Sequence, residues 1–480
     1  MKRKQYILSV TIILMLGLGF WVSSRWHAWF HYYLENPFAT PSGIDRVVMT
    51  YGEKPNTQRV ISWRSGESER RGRVHLYRLA MGDSLLSIYQ QRAVTSTFFQ
   101  RDALLNQLMM DSLWISGKGT LIETDGGQSI YYRAELNQLA AGSYAYQIST
   151  GLDKSPYYFF KVKKAGYPYK FAYIGDIQQR DTARFEPLFL SFYQAHSVDA
   201  WAYIGDVIER PMNKYWDTWF AGMQGIPAQM PLLVVPGNHE YQKNLARDID
   251  KRWTSIFSYP RNGTKQSMGH TYFYEFDSIL FVMLDTEDLQ MPWQFMQART
   301  WLKRVLNQSS AQYKIVMMHH PVQSVRSSRL NLGVKLFLGP VLQNNDVTLL
   351  LQGHDHGYGR HFTQKRGQRC LPLSVVSACS EKNYLVGFKN NEERMACNQR
   401  LIQIITLGKD SVDYKSYMET GVLYDDLSFT FDSLGKLSIE DRAINWDEKI
   451  EMPERYLRKG KEFQEKFEKQ IQERQKNRIH

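Results

Sequence analysis

Phe171–Ile174 runs into Gly175-Asp176-Ile177-Gln178, and Trp201–Ile204 runs into Gly205-Asp206-Val207-Ile208-Glu209. Leu232–Val235 leads to Pro236-Gly237-Asn238-His239-Glu240, Ile315–Met318 to His319-His320-Pro321, and Thr348–Leu351 to Gln352-Gly353-His354-Asp355-His356. Each apolar run has the length and composition of a buried strand. In open α/β sheets, sites form at the carboxyl ends of strands. Taken singly, an aspartate after a strand is a turn former or helix cap, and a histidine is an ordinary surface or core residue. Five such ends in one domain instead predict a shared metal site. Glycine precedes four of the five clusters, which predicts tight turns that let the side chains face a common centre. Mixed carboxylate, amide and imidazole donors suit Zn, Mn or Fe rather than calcium or a structural thiolate site.

Outward from these runs, strand-like and helix-like stretches alternate after Gly166-Tyr167-Pro168, as in an α/β domain. Thr271–Phe276 and Leu280–Leu284 read as neighbouring strands, and Phe295–Leu306 as a helix. Upstream, Arg46–Tyr51, Gln58–Trp63, Val74–Leu79, Ser129–Glu135, Tyr144–Thr150 and Tyr157–Val162 are short alternating runs that predict an all-β sandwich. No cluster of ligands or nucleophiles falls among them.

The strand-end motifs resemble the metallophosphoesterase signature of the calcineurin-like superfamily. Gly353-His354-Asp355-His356-Gly357-Tyr358 and Met318-His319-His320-Pro321 most resemble the purple acid phosphatases, as does an upstream β domain of fibronectin III-like type. The resemblance spans roughly residues 44–430 and implies a four-layer αββα sandwich preceded by the β domain. It implies that Asp176 and His356 hold one metal, that Asn238, His319 and His354 hold a second, and that Asp206 bridges them. The nucleophile would be a water or hydroxide shared by the two ions, and His239 would stabilise the phosphate or protonate the leaving group.

The sequence departs from that pattern at named positions. Glu209 stands where the family's tyrosine binds ferric iron, so the purple colour is not expected and a ferric first metal would lack its usual ligand; the two ions are read as either divalent or mixed-valence. Gln178 stands where many other relatives have a histidine. Each is read as either a metal ligand or an outer-shell group. His320 is an extra histidine that either contacts substrate or exchanges roles with His319. Arg326 and Arg329 either grip a phosphate or belong to a solvated basic loop. Substrate walls are expected from Gln179–Phe185, Pro211–Gly222, Tyr241–Gly269 and Gln323–Gly333, with Tyr215, Trp216 and Trp219 either stacking on a ring or packing a helix.

The chain has 480 residues and a formal net charge of +12. That basic balance favours anionic partners, yet no nucleic-acid-binding signature appears, and a phosphorylated small molecule is the expected substrate. Lys2, Arg3 and Lys4 precede an uncharged stretch from Gln5 to Ser24. This predicts a membrane anchor or a signal segment over residues 1–24, and export of the rest. Trp26, Trp29, Phe30, Tyr32 and Tyr33 suit a membrane interface. The expected domains are 44–165, 168–432 and a charged, helical tail over 433–480. Cys370, Cys379 and Cys397 allow one bridge at most, Cys370–Cys397, or three free thiols.

The function expected is phosphomonoester hydrolysis. Alternatives are a phosphodiesterase of the same fold acting on nucleotides or lipid headgroups, and a membrane-tethered binding protein without catalysis.

Overall fold

The computed structural model describes residues 2–66, 71–79, 109–178, 182–327, 329–388, 392–432 and 436–478. The first strands are β1 (Ile44–Tyr51), β2 (Arg59–Ser65), β3 (Arg71–Leu79), β4 (Met109–Thr124), β5 (Gly127–Leu136), β6 (Gly142–Thr150), β7 (Asp153–Lys154) and β8 (Tyr158–Val162); β1 and β2 are buried almost throughout, while β3 alternates over much of its length. They pair in the order β1-β2-β5-β4-β3-β6-β7, with β8 on β6. Their inward residues close on Trp63, whose ring stacks on Tyr132 at 5.3 Å between centroids. The long strand β4 was not legible, because its residues are largely exposed and mix polar with apolar side chains, Leu113, Trp114 and Leu121 among the exposed ones.

The α/β domain has two facing sheets. The first contains β9 (Tyr169–Ile174), β10 (Ala200–Ile204) and β11 (Leu232–Val235), mutually parallel, with β19 (Leu401–Leu407) antiparallel to β9. The second runs β12 (Tyr272–Phe276), β13 (Ile279–Leu284), β14 (Tyr313–Met318), β15 (Leu349–Gln352), β17 (Gln368–Val376), β16 (Tyr358–Lys365), β18 (Arg394–Ala396). Both sheets are buried on two faces, so their strands are near-continuous apolar runs. Phe171 and Phe281 meet edge-to-face at 5.5 Å between them. Helices cover the outer faces. Pro292–Gln308 buries Phe295, Ala298, Trp301, Leu302, Val305 and Leu306 at three- and four-residue spacing. Gln294 Oε1 accepts the Met291 N–H at its start. On the other side Trp216 and Trp219 are fully buried in the core, so they pack a helix rather than wall a pocket.

The first sheet continues past β19 into β20 (Ser411–Met418), β21 (Leu423–Phe431) and β22 (Leu437–Asp441). The sheet therefore extends into the segment read as tail. The final helix, Lys461–Arg478, is not wholly solvated: Phe467 is buried, and it packs with Leu385, Met395 and Cys397.

The β domain joins the first sheet of the α/β domain by a parallel pairing, Thr50 with Leu232. Ion pairs made by buried arginines reinforce the joint. Arg64 pairs with Asp45, Arg46 with Asp217, and Arg252 with both Asp250 and Glu35. Glu35 lies just beyond the first helix, Lys2–Phe30. Tyr32 hydrogen-bonds Asp125, and Tyr33 lies under the guanidinium of Arg210 at 3.9 Å. These two tyrosines are held by the globular domains. Among the described residues no helix is long and apolar enough to cross a membrane. The three cysteines are unbridged, which corrects the Cys370–Cys397 pairing. Their thiols point to separate partners: Cys370 to the Thr363 carbonyl and Cys397 to that of Tyr384.

Candidate metal centre

The carboxyl ends of β9, β10 and β11 meet those of β14 and β15, and the candidate ligands converge there. Two groups form with ligand atoms all within 4.8 Å of one another: Asp176, Asp206 and His356 in one, and Asp206, His319 and His354 in the other. Asp206 belongs to both. All five are buried.

Backbone hydrogen bonds aim the rings. His319 Nδ1 is 2.9 Å from the Ile204 carbonyl, which leaves Nε2 toward Asp206 Oδ2 at 3.3 Å. His356 Nδ1 is bonded to the Lys382 carbonyl, which leaves Nε2 3.8 Å from Asp176 Oδ1. Fixing one ring nitrogen on a carbonyl sets the tautomer that presents the other as a ligand. Asp176 Oδ1, Asn238 Oδ1 and His354 Nε2 are buried without a hydrogen-bond partner among the described residues. Buried acceptors left unpaired are costly, and they sit on residues that a pair of divalent cations would satisfy. The donor set therefore fits such ions.

The backbone carries the strain of this convergence. Asp176, Asp206, His354 and His356 themselves adopt left-handed φ of 35°, 51°, 73° and 48°. Such conformations persist where the surroundings over-determine them. The glycines were expected to supply the turns, but of the four only Gly205 has positive φ. The others are needed for room. A Cβ on Gly237 would lie 2.3 Å from Asp206 Oδ1, and one on Gly353 would lie 2.8 Å from Asp176 Oδ2.

Electrostatics follow burial and pairing. Burial alone would raise the Asp206 carboxyl, but the charges of His319 and His239 and hydrogen bonds from both hold it far below the usual range. Against the opposing effect of burial, Asp206 pushes His319 up to about 10. His319 is thus the resident cation of the metal-free centre. Burial keeps His356 and His354 well below the usual imidazole range, helped by Lys382 at the first and His320 at the second. Both rings are neutral, the form that binds metal.

His239 lies at the rim. Its N–H donates to Asp206 Oδ1 at 2.9 Å, and its Nδ1 is 2.5 Å from the Glu209 carbonyl. Glu209 thus orients His239 through its main chain. Gln178 sits beside the cluster with Oε1 3.5 Å from Lys382 Nζ and Nε2 buried without a partner among the described residues. His320 packs on His354, with ring centroids 4.2 Å apart, but its Nδ1 is 2.9 Å from Thr286 Oγ1 and its Nε2 is 3.4 Å from Glu287 Oε2, so of the pair His319 is the one that joins a candidate ligand group. Arg326 stacks on Tyr384, and Arg329 is half-buried nearby. Positions 179–181 of the expected wall Gln179–Phe185 lie outside the described residues.

Two supporting residues escaped the sequence reading. Glu240 is fully buried. Its Oε2 accepts the N–H groups of Asp206 at 2.9 Å and Gly237 at 2.7 Å, and its Oε1 that of Ile208 at 3.2 Å. It welds the loop of the shared aspartate to the loop of Asn238. Its only sequence signal was adjacency to Asn238-His239. Asp355 accepts from Ser324 Oγ and the Val325 N–H, so the middle of the His-Asp-His motif anchors the loop carrying Arg326.

Residues 169–358 match the family model of the calcineurin-like phosphoesterases. Among curated proteins the chain is similar to three of Arabidopsis thaliana. It is 27% identical over 190 residues to "Probable inactive purple acid phosphatase 9", covering 33% of this chain and 29% of that protein. To purple acid phosphatase 4 it is 24% identical, covering 44% and 56% respectively, and to purple acid phosphatase 15 it is 24% identical, covering 38% and 33%. The chain thus spans about a third to about half of the length of these relatives. Its fold is shared with the purple acid phosphatase PPD1 of yellow lupin (Lupinus luteus) seeds, with a TM-score of 0.65 at 12% identity over 83% of this chain and 76% of that one. It is shared with PhoD as well, with a TM-score of 0.53 at 11% identity over 93% and 99%. Residues 169–358 are thus similar to the calcineurin-like phosphoesterases, and among curated relatives the similarity is to purple acid phosphatases.

Proposed function

We propose that the protein is an exported phosphoesterase that hydrolyses phosphomonoesters at a dinuclear metal centre. The observation that carries this reading is the pair of ligand groups sharing Asp206. Asp176 and His356 would hold one ion; Asn238, His319 and His354 would hold the other. When bound, the two cations supply an activated water and positive charge opposite the phosphoryl oxygens. His239, with Nδ1 committed to the Glu209 carbonyl, has Nε2 as the atom that exchanges a proton with the leaving oxygen. Glu240 holds the two ligand loops in register. Gln178 and Glu209 act from outside the ligand groups, and with no tyrosine at position 209 the centre is colourless. Arg329 offers a guanidinium to the substrate phosphate. The cationic N-terminal residues and the uncharged stretch behind them support export, by anchor or by cleaved signal.

The test is metal analysis of the purified protein together with turnover of p-nitrophenyl phosphate and of bis(p-nitrophenyl) phosphate, with Mn, Zn or Fe supplied. Monoester turnover should dominate, and Asp206→Ala should lose bound metal and turnover together. Faster diester turnover overturns the monoester assignment. A protein that binds no metal and cleaves neither ester is the non-catalytic binding protein instead.

A further inference from the structure

A ring of cations beside the metal centre is the feature that this function leaves unexplained. Tyr384 is its hub. The Tyr384 N–H donates to the His356 carbonyl at 3.2 Å, and the two rings meet edge-on at 5.2 Å. Arg326 lies over the Tyr384 ring at 3.5 Å, Arg455 at 3.9 Å, and Lys382 Nζ is 5.7 Å from the same centroid. Lys382 also reaches Gln178 Oε1, at 3.5 Å.

These cations come from three separate segments, and their placement is built rather than incidental. Arg326 is paired in a β-bridge with Val386, flanked by Ser327 N–H to the Leu385 carbonyl and Gly387 N–H to the Val325 carbonyl. Asp355 ties the start of that loop to the metal-ligand motif. Arg455 is delivered by the short turn of helix Glu454–Leu457, next to the packed C-terminal helix. Among the described residues no carboxylate lies within ion-pair distance of Arg326, Arg329, Lys382 or Arg455. Elsewhere, the buried arginines 46, 64, 247, 252, 360 and 394 have one, and buried Arg59 instead donates to the Pro55 and Gln58 carbonyls.

A guanidinium stacked on an aromatic face keeps its in-plane N–H donors available, and that fork matches the oxygens of a phosphate. Several cations held together without counter-charge repel one another, and an oxyanion of high charge relieves them more than a carboxylate does.

We propose that Lys382, Arg326 and Arg455, gathered on Tyr384, form a second anion subsite, and that the substrate is a phosphomonoester carrying a second phosphate. This rests on the phosphoesterase reading above and narrows its substrate class. The first phosphate sits on the metals, and the second lies one ring width away, beyond His356.

The test compares propane-1,3-diol bisphosphate with propyl phosphate on the metal-loaded protein. The two differ only in the second phosphate. The bisphosphate should show kcat/KM at least about tenfold higher, the effect of one or two charge-assisted hydrogen bonds. Arg455→Met, at an exposed position on a short turn of helix, should collapse that preference toward one. Arg458→Met, one turn away and off the Tyr384 ring, controls for bulk charge and should keep the preference. Equal kcat/KM for both esters in the wild type, or an intact preference in Arg455→Met, overturns the subsite.

If neither ester is cleaved, the phosphoesterase reading fails by itself. Calorimetric binding of propane-1,3-bisphosphonate, about tenfold weaker to Arg455→Met than to the wild type, then still reads the subsite, and equal binding removes it. Phosphatidic acid is offered in phosphatidylcholine vesicles, with and without phosphatidylserine. A gain with phosphatidylserine that Arg455→Met abolishes, and that the soluble pair lacks, assigns the second anion to a lipid surface and overturns the bisphosphate assignment.

Discussion

Glu240→Gln separates the two things this buried residue does. Its two carboxyl oxygens accept three main-chain N–H groups, from Asp206, Gly237 and Ile208. Glutamine keeps the shape but has only one carbonyl oxygen. If that oxygen takes the Asp206 and Gly237 donors, the amide NH2 faces the Ile208 N–H, donor against donor. A buried N–H left without a partner costs about 1–3 kcal/mol. Glutamine also removes an ionisable group that burial, and then the charge of Asp206, push up to about 8.

The sign of the pH effect follows. The unfolded carboxyl ionises near its ordinary value of 4.5 while the folded one keeps its proton up to about 8. Between those values the unfolded state binds fewer protons, so wild-type stability falls as pH rises, with a limiting slope of about 1.4 kcal/mol per pH unit for one proton. The metal-free wild type should therefore be more stable than Glu240→Gln at pH 5, by about 1–3 kcal/mol. The gap should close and reverse toward pH 8. Urea unfolding of the chelated proteins at half-unit pH intervals measures the difference directly. A difference that stays flat from pH 5 to pH 8 refutes the reasoning.

Two further outcomes test the packing arguments. Gly237→Ala places a methyl 2.3 Å from Asp206 Oδ1, so the loop must shift. Metal content should fall below one ion per chain while far-UV circular dichroism stays native, and a variant with full metal loading contradicts the close-approach account. Glu35→Ala removes an acceptor from Arg252, a guanidinium only 2% exposed. It should lower stability by about 1–3 kcal/mol and speed proteolysis within residues 31–40. Unchanged cleavage kinetics would mean that the linker is held by Tyr32 and Tyr33 alone.

Much of the α/β domain was legible because its signals are local. A strand buried on both faces is a short apolar run wherever it lies, and the residue after it is fixed at the sheet's carboxyl edge. That is why Asp176, Asp206, Asn238, the His319-His320 pair, His354 and His356 stood out as strand-end residues, while their division between two metals came from the family resemblance. The turns were misassigned for an equally physical reason. Only the packed backbone shows that Asp176, Asp206, His354 and His356 take left-handed conformations themselves, while Gly237 and Gly353 make room for neighbouring carboxylates. Strand β4, largely exposed, lacks the alternation that marks a half-buried strand.

The sequence by itself determined the ligand types, the strand ends that bear them and the chemistry those donors favour. Tertiary structure alone decided which histidine of His319-His320 faces the centre, since Thr286 and Glu287 claim both nitrogens of His320. It decided that Glu240 braces two loops and that Lys382, Arg326 and Arg455 share one tyrosine. Thr286 and His320, like Asp206 and Glu240, are 34 positions apart, and Arg326 and Arg455 lie 58 and 71 positions from Tyr384. No local period encodes such contacts; they exist only once the two sheets have packed and brought their edges together.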